Sequence, residues 1–166
     1  MVCLLGLSTV AACNTTVGAE ESGEETTGPV SPCGPNEGVV ESVIDGDTVR
    51  MLDGTRVRYL LIDTPEVSPP EECWGPEATI YNRDLVEGKT VQLTYDEACQ
   101  DQYGRTLAYL SVDGVEVNSR LVEFGHACVL HIPPNGADRV LEFMNLQAIA
   151  QSENRGMWGA CADPCP

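Results

Sequence analysis

Between Gly38 and Val112 short apolar runs alternate with polar turns at close spacing. Residues 38–45 (GVVESVID), Thr48–Leu52, Arg56–Ile62, Thr90–Tyr95 and Thr106–Val112 each read as a strand by alternation or by a short β-branched run. Asp53-Gly54, between the second and third, is a hairpin turn signal. "GPEATIYNRDLVEG" predicts a helix, with Pro76 at a first helical position, Gly88 at its stop, and Ala78, Leu85 and Val86 among its apolar contacts. "VEVNSRLVEFG" predicts a second, short helix ending near Gly125. After an extended segment at 127–132 and a Pro-rich loop, Ala137–Ser152 predicts a third, with Val140, Leu141, Met144 and Ile149 on or near one face. Five short strands with interspersed helices predict a small twisted α+β barrel with helices outside it.

Two segments flank this unit. Val2 to Ala12 is short and apolar and ends "VAAC", which resembles the cleavage box of bacterial lipoproteins with Cys13 as the lipidated residue. It is too short to span a bilayer as a helix. Met1-Val2 lacks the basic residue a secretory signal wants, so an ordinary apolar N-terminus is the competing reading. The expected organisation is a signal segment at 1–13, a flexible acidic linker at 14–37, a folded domain at 38–160 and a short Cys-containing tail at 161–166. The linker is rich in Thr, Gly, Glu, Ser and Pro, without apolar periodicity. Export predicts an extracytoplasmic protein, anchored to the membrane by lipid or secreted.

Composition narrows the function classes. The chain has 166 residues, room for one domain with a real core. Nine basic residues against 26 acidic ones give a net charge of -17, with a single lysine among the bases. That field disfavours nonspecific binding of nucleic acid, which only a local site could overturn. With Cys3 removed and Cys13 lipidated, Cys33, Cys73, Cys99, Cys128, Cys161 and Cys165 remain. In an exported chain they predict disulfides, with about 15 complete pairings to choose from. Cys33 is placed to pin the linker to the domain, through Cys161 or Cys165. No zinc-knuckle spacing is present.

Carboxylates carry the candidate chemistry. Asp45 and Asp47 flank Gly46 where one strand gives way to the next, and Asp63 and Glu66 follow the apolar run Tyr59–Ile62. If the strands either side of Asp53-Gly54 are antiparallel neighbours, Asp47 and Asp63 approach each other. Clustered carboxylates at strand ends suit a hard divalent cation. Taken singly, each also reads as a turn cap or a solvated loop residue. Arg58 precedes "YLLIDTP" inside a strand, where alternation places it on the face opposite Tyr59 as an exposed arginine; Arg105 follows Gly104 in a loop. Together, two guanidiniums near a metal-bound phosphate would suit phosphodiester hydrolysis. The same residues also permit a calcium-stabilised barrel.

"VIDGDTVRML", "RVRYLLIDTPE", "WGPEA" and "DQYGRTLAYL" resemble, in order, the signatures of the thermonuclease family, the staphylococcal-nuclease-like domain. The likeness covers roughly Gly38 to Gly159 and continues through "VNSRLVEFGHA" and "NRGMWG". It implies a five-stranded OB-fold and a calcium-dependent endo- or exonuclease acting on DNA or RNA, a monomer with no protein partner inferred. Carried over by position, it implies Asp47, Asp63 and the Thr64 carbonyl as Ca2+ ligands. Glu66 is implied as the water-activating or water-positioning acid, and Arg58 and Arg105 as phosphate-binding, transition-state arginines. Tyr103 and His131 are implied substrate contacts, and Asp45 a turn residue.

The chain departs from the family in places. "VSPPEECWGP" is short and acidic where relatives carry a longer basic loop, Gln102 stands where a phosphate-contacting lysine often occurs, and His131 and Pro133 replace tyrosines. Cys73 and Cys99 fall in loops at the expected pocket rim, either bridged to each other or paired elsewhere, and Cys128 is expected to face the core. A catalytically inactive nucleic-acid or protein-binding module and a calcium-stabilised structural domain of a lipoprotein are the alternative functions. Retention of Asp47, Asp63, Glu66, Arg58 and Arg105 favours the enzyme.

Overall fold

A computed structural model describes residues 31–165. Cys13, the signal segment and most of the linker lie outside the described residues. The elements run β1 (Glu37–Val43), β2 (Thr48–Met51), β3 (Arg56–Tyr59), β4 (Ile62–Asp63), α1 (Gly75–Val86), β5 (Thr90–Thr94), β6 (Thr106–Val112), β7 (Val115–Glu116), α2 (Val117–Glu123), β8 (Cys128–Val129), α3 (Val140–Ser152) and α4 (Met157–Ala160). The main sheet has the order β3-β2-β1-β5-β6-β7, and a parallel pairing of β3 with β6 closes it on itself. β1, β2, β3, β5 and β6 thus form the five-stranded mixed barrel that the alternation predicts.

Closure follows from the side-chain pattern. Val40, Val49, Val57, Tyr59, Val91, Ala108 and Leu110 point inward and are essentially inaccessible to solvent. Each large one contributes about 1.5–3 kcal/mol by leaving water. The antiparallel β2–β3 hairpin turns at Asp53-Gly54, where Asp53 Oδ1 accepts the Thr55 N–H at 2.8 Å. Helix α1 is tied to the barrel by Asn82, wholly buried, whose Oδ1 accepts the Tyr59 hydroxyl at 2.9 Å while its Nδ2 donates to the Asp45 carbonyl at 3.2 Å.

Four expectations are corrected. The third strand does not run to Ile62: β3 ends at Tyr59, Leu61 takes a left-handed φ of 64°, and Ile62–Asp63 pairs with Cys128–Val129 in a separate two-stranded sheet. The backbone groups freed by the break find partners. Leu60 N–H donates to the Ala108 carbonyl, the Leu60 carbonyl accepts from Asn118 Nδ2, and the Leu61 carbonyl accepts from the Leu130 N–H.

Helix α3 starts at Val140 rather than Ala137 and turns a different face inward. Phe143 and Ala150 are buried, whereas Leu141, Met144 and Ile149 are 72%, 54% and 46% exposed. The helix is apolar nearly all round, so period alone does not choose its inner face.

The cysteines pair as Cys33–Cys99, Cys73–Cys161 and Cys128–Cys165. Cys33 therefore fastens the linker end to the loop before β6, not to the tail. Cys73 and Cys99 are not joined to each other, and Cys128 is a bridge rather than a core thiol. Arg58, finally, is not an exposed sheet arginine: its side chain is only 12% exposed.

Candidate active site

The turn between β1 and β2 places the first carboxylate. Asp47 N–H donates to Asp45 Oδ1 at 3.1 Å, which confirms Asp45 as a turn residue in geometry. A Cβ on Gly46 would lie 2.6–2.8 Å from the Thr64 side chain, so only glycine lets this turn approach the segment after β4. That approach brings Asp47 to Thr64. Asp47 Oδ2 accepts the Thr64 N–H at 2.9 Å and its hydroxyl at 3.1 Å; Oδ1 accepts the Thr48 hydroxyl at 3.0 Å.

Arg58 joins the carboxylates. Its Nε lies 2.9 Å from Asp47 Oδ1 and its Nη2 2.6 Å from Asp63 Oδ1. Nη1 donates to the carbonyls of Tyr59 and Ile62 at 2.8 and 2.7 Å, the groups exposed by the strand break. The Leu61 kink thus creates two acceptors that aim a strand arginine along the barrel end.

Burial pushes the Asp47 carboxyl well above the ordinary carboxylate range; Arg58 opposes that effect and Asp45 adds to it. Asp63 is also raised, by burial first, with Arg58 pulling it down and Glu72 and Asp45 pushing it up. Glu66, exposed beyond β4, is raised by partial burial and by the negative charges of Asp45, Asp63 and Glu72.

Glu66 sits on a closed loop. Its N–H donates to Glu72 Oε2 at 2.8 Å, and its carbonyl accepts the Glu72 N–H at 2.9 Å. Gly75, the first residue of α1, packs so tightly on the Glu66 carbonyl that an added Cβ would collide with it.

Arg105 comes from the opposite side. Asp101 Oδ2 holds its Nε at 2.6 Å, and Asp101 Oδ1 accepts the backbone N–H groups of Arg105 and Tyr103 at 2.9 Å each. Burial would raise the Asp101 carboxyl, but these bonds outweigh it and hold it below its usual value. The Arg105 guanidinium lies 5.7 Å from the centre of the Tyr103 ring, which is 69% exposed.

Two recesses share Leu130 as a common rim. One, of about 410 Å³, is lined by Arg58, Arg105, Asp101, Tyr103, Ile132 and Pro133 among others; the second, of about 340 Å³, by Asp63, Thr64, Glu66, Glu72 and Pro164. A larger recess of about 800 Å³ lies between the N-terminal segment and the β2–β3 turn. It holds no clustered reactive groups, and volume there does not mark chemistry.

The structure therefore gathers Asp47, Arg58, Asp63 and Thr64 into one bonded group and sets Glu66, Arg105 and Tyr103 around the adjoining recesses. His131 is exposed, and its neighbours Leu130 and Ile132 line the first recess in its place. Sequence reasoning missed Asp101, Glu72, Ile132 and the tail residue Pro164. Asp101 did carry a signal, an Asp ahead of a Gly turn and four residues before an arginine; the others depend on long-range packing.

The carboxylates bear on metal binding. Among the described residues no three carboxylate, imidazole or thiol groups form a metal centre by themselves. The donor set is nonetheless of the hard-oxygen kind a divalent cation takes: Asp47 and Asp63 offer carboxylate oxygens, bridged here by Arg58, and the repulsion that Asp45 and Asp63 exert on Asp47 is what a cation would relieve.

Comparison with known proteins decides the family. The model for the staphylococcal nuclease homologue matches residues 56–160. The chain belongs to this family. Over 126 residues it is 35% identical to the SPbeta prophage-derived endonuclease YokF and to endonuclease YncB, both of Bacillus subtilis strain 168. Each match takes in 72% of this chain, but 43% of YokF and 60% of YncB, so the chain spans about half the length of these relatives. An uncharacterized endonuclease of Escherichia coli O157:H7 is 37% identical over 138 residues, 81% of this chain and 84% of the relative. In this staphylococcal nuclease homologue the matched stretch contains Arg58, Asp63, Thr64, Glu66, Arg105 and Tyr103, whereas Asp47, in the turn between β1 and β2, lies outside it.

Proposed function

We propose that this chain hydrolyses phosphodiester bonds of DNA and/or RNA, with Ca2+ as cofactor. One observation carries the reading: Arg58 and Arg105 line one recess and Asp63 and Glu66 line a second that shares Leu130 with it, with Arg58 ion-paired to the buried Asp47 behind them. The relatives' endonuclease names point the same way.

Asp47 and Asp63, with the Thr64 carbonyl, would hold the cation, whose charge polarises the phosphoryl group and acidifies water. Glu66 accepts or directs the proton of the attacking water; its raised carboxyl pKa makes it a better base than a solvated glutamate. Arg58 and Arg105 donate to phosphate oxygens and neutralise the charge that builds up in the transition state. Arg58 keeps its two backbone carbonyls while Nη2 turns from Asp63 to phosphate, so its position survives the exchange. Asp101 fixes Arg105 by Nε and leaves the two terminal nitrogens for substrate. The exposed Tyr103 ring offers a base-stacking face.

The reading extends to place and state. Three disulfides belong to an oxidising compartment, in keeping with export through the Val2–Ala12 segment and lipid attachment at Cys13. The protein would act there as a monomer on extracellular nucleic acid.

The test is incubation of the oxidised protein with single-stranded DNA, duplex DNA and RNA, with Ca2+ or with chelator. Cleavage in Ca2+ that chelator abolishes is expected. No cleavage of any substrate across pH and salt would overturn the proposal in favour of a binding module.

A further inference from the structure

The outer face of the β2–β3 hairpin carries two charges that the candidate site does not use. Arg50 and Arg56 are exposed and stand directly opposite each other in the antiparallel register. Like charges so placed repel across about 5 Å and weaken a sheet. Every other basic side chain among the described residues bonds to a carboxylate or a carbonyl, whereas Arg50 and Arg56 have neither an ion pair nor a side-chain hydrogen bond. On its other side Arg50 faces Ser42 of β1. In a chain with 26 acidic residues, two adjacent arginines left without a carboxylate do nothing for the stability of the barrel.

Their position gives them a use. Side chains alternate along a strand, so Arg56 shares the outer face with Arg58, about 7 Å further along β3. β3 runs parallel to β6 with Val57 level with Thr106, which sets Arg56 level with Arg105, one residue earlier on each segment. Arg50, Arg56 and Arg105 therefore form a row across three neighbouring segments, in steps of about 5 Å. The recesses agree with this row, because Gln100 lines both the one that holds Arg58 and Arg105 and the larger one that Arg56 borders. Successive phosphates of one strand are about 3.4 Å apart along a duplex axis and further apart where the strand is extended. A backbone with its scissile phosphate at Arg58 and Arg105 thus brings neighbouring phosphates over Arg56 and Arg50.

We propose that Arg50 and Arg56 form a phosphate-binding subsite on the outer β2–β3 face, which holds the sugar–phosphate backbone beyond the nucleotides at the point of cleavage. The inference rests on the nuclease reading above. It also answers the objection raised by the net charge of -17, since a local row of guanidiniums can hold a polyanion that the field of the whole chain repels.

The experiment measures kcat and KM in saturating Ca2+ on a dinucleotide, too short to reach the row from the cleavage point, and on a single-stranded DNA of about 12 nucleotides. The parent is set beside Arg50→Gln/Arg56→Gln and beside Arg83→Gln/Lys89→Gln, which removes the same charge from α1 and the turn after it. The first variant is expected to raise KM on the long strand at least about five-fold relative to the dinucleotide, and to reduce the salt dependence of long-strand binding by about 0.7 in log–log slope for each lost phosphate contact. Arg50→Lys/Arg56→Lys, which keeps both charges, should recover most of the loss. Removing the repelling pair should leave the melting temperature at or above that of the parent; if it falls instead, the single Arg50→Gln takes the place of the double variant, with at least about a two-fold rise in KM expected. An unchanged long-strand KM overturns the subsite alone, as does an equal loss on the dinucleotide or an equal rise in the Arg83→Gln/Lys89→Gln protein. A parent that cleaves neither substrate defeats the nuclease reading and the inference with it.

Discussion

Arg58 Nε lies 2.9 Å from Asp47 Oδ1, an ion pair in which the carboxylate is 7% and the guanidinium 12% exposed. Removing one partner of such a pair leaves the other charge buried, at a cost of about 3–5 kcal/mol. Arg58→Ala is therefore expected to destabilise the protein by about that amount in urea unfolding, beyond any effect on activity. The bond from Arg58 to Asp63, whose side chain is 55% exposed, contributes little to that total. A loss below about 1 kcal/mol would contradict the pairing.

Gly75→Ala tests how tightly α1 holds the Glu66 loop. The new methyl must push the Glu66 carbonyl away, although residue 75 touches no substrate. A displacement of about 1 Å at a reacting group costs on the order of 100-fold in rate, while overpacking of this kind costs about 1–3 kcal/mol in stability. The expected result is a large fall in kcat in a protein that still melts cooperatively. Unchanged kcat would show that Glu66 is not positioned through this contact.

Acid should loosen the other side of α1. His126 Nδ1 accepts the Trp74 indole N–H at 3.0 Å, and the ring stacks on Tyr81 with centroids 4.1 Å apart. Burial lowers its pKa to about 4, with Glu77 pulling the other way. Because the unfolded histidine, near 6.5, binds its proton first, stability present above pH 6.5 is lost as pH falls towards 4. His126→Gln should flatten this limb of the melting temperature against pH. The same slope in parent and variant would assign the effect to other groups.

The Cys33–Cys99 bridge spans 66 residues, and the chain-entropy account gives about 4 kcal/mol for a loop of that length. Cys33→Ala/Cys99→Ala should lose most of it in denaturant unfolding under oxidising conditions. A change under about 1 kcal/mol would mean that the linker end is already held by packing, for instance by the Tyr95 hydroxyl that donates to the Pro35 carbonyl.

The barrel and the heart of the site were legible because they are local. Alternation marks the strands, Asp53-Gly54 sets the hairpin, and that hairpin puts Thr48 opposite Arg58, so Asp47 and Asp63 meet. The break at Leu61 was not legible, since "YLLI" is as apolar as a continuous strand, and the residues after it pair far along the chain, Ile62 with Val129 and Asp63 with Cys128. The same limit hid the disulfide partners and Pro164 at the recess, which only the assembled fold brings near. On α3 the failure was local: with apolar residues on every side, nothing in the period distinguished Phe143 from Leu141.

The central claim is that Glu66 and Arg105 act on one phosphodiester from the two recesses that meet at Leu130. Its most direct measurement is kcat/KM on a single-stranded DNA in saturating Ca2+ for the parent, Glu66→Gln and Arg105→Ala, with melting temperatures taken in parallel. The account predicts that each variant loses at least about 100-fold in rate while melting close to the parent, because both side chains are partly exposed and act in the transition state. Cleavage at the parental rate by either folded variant would contradict it.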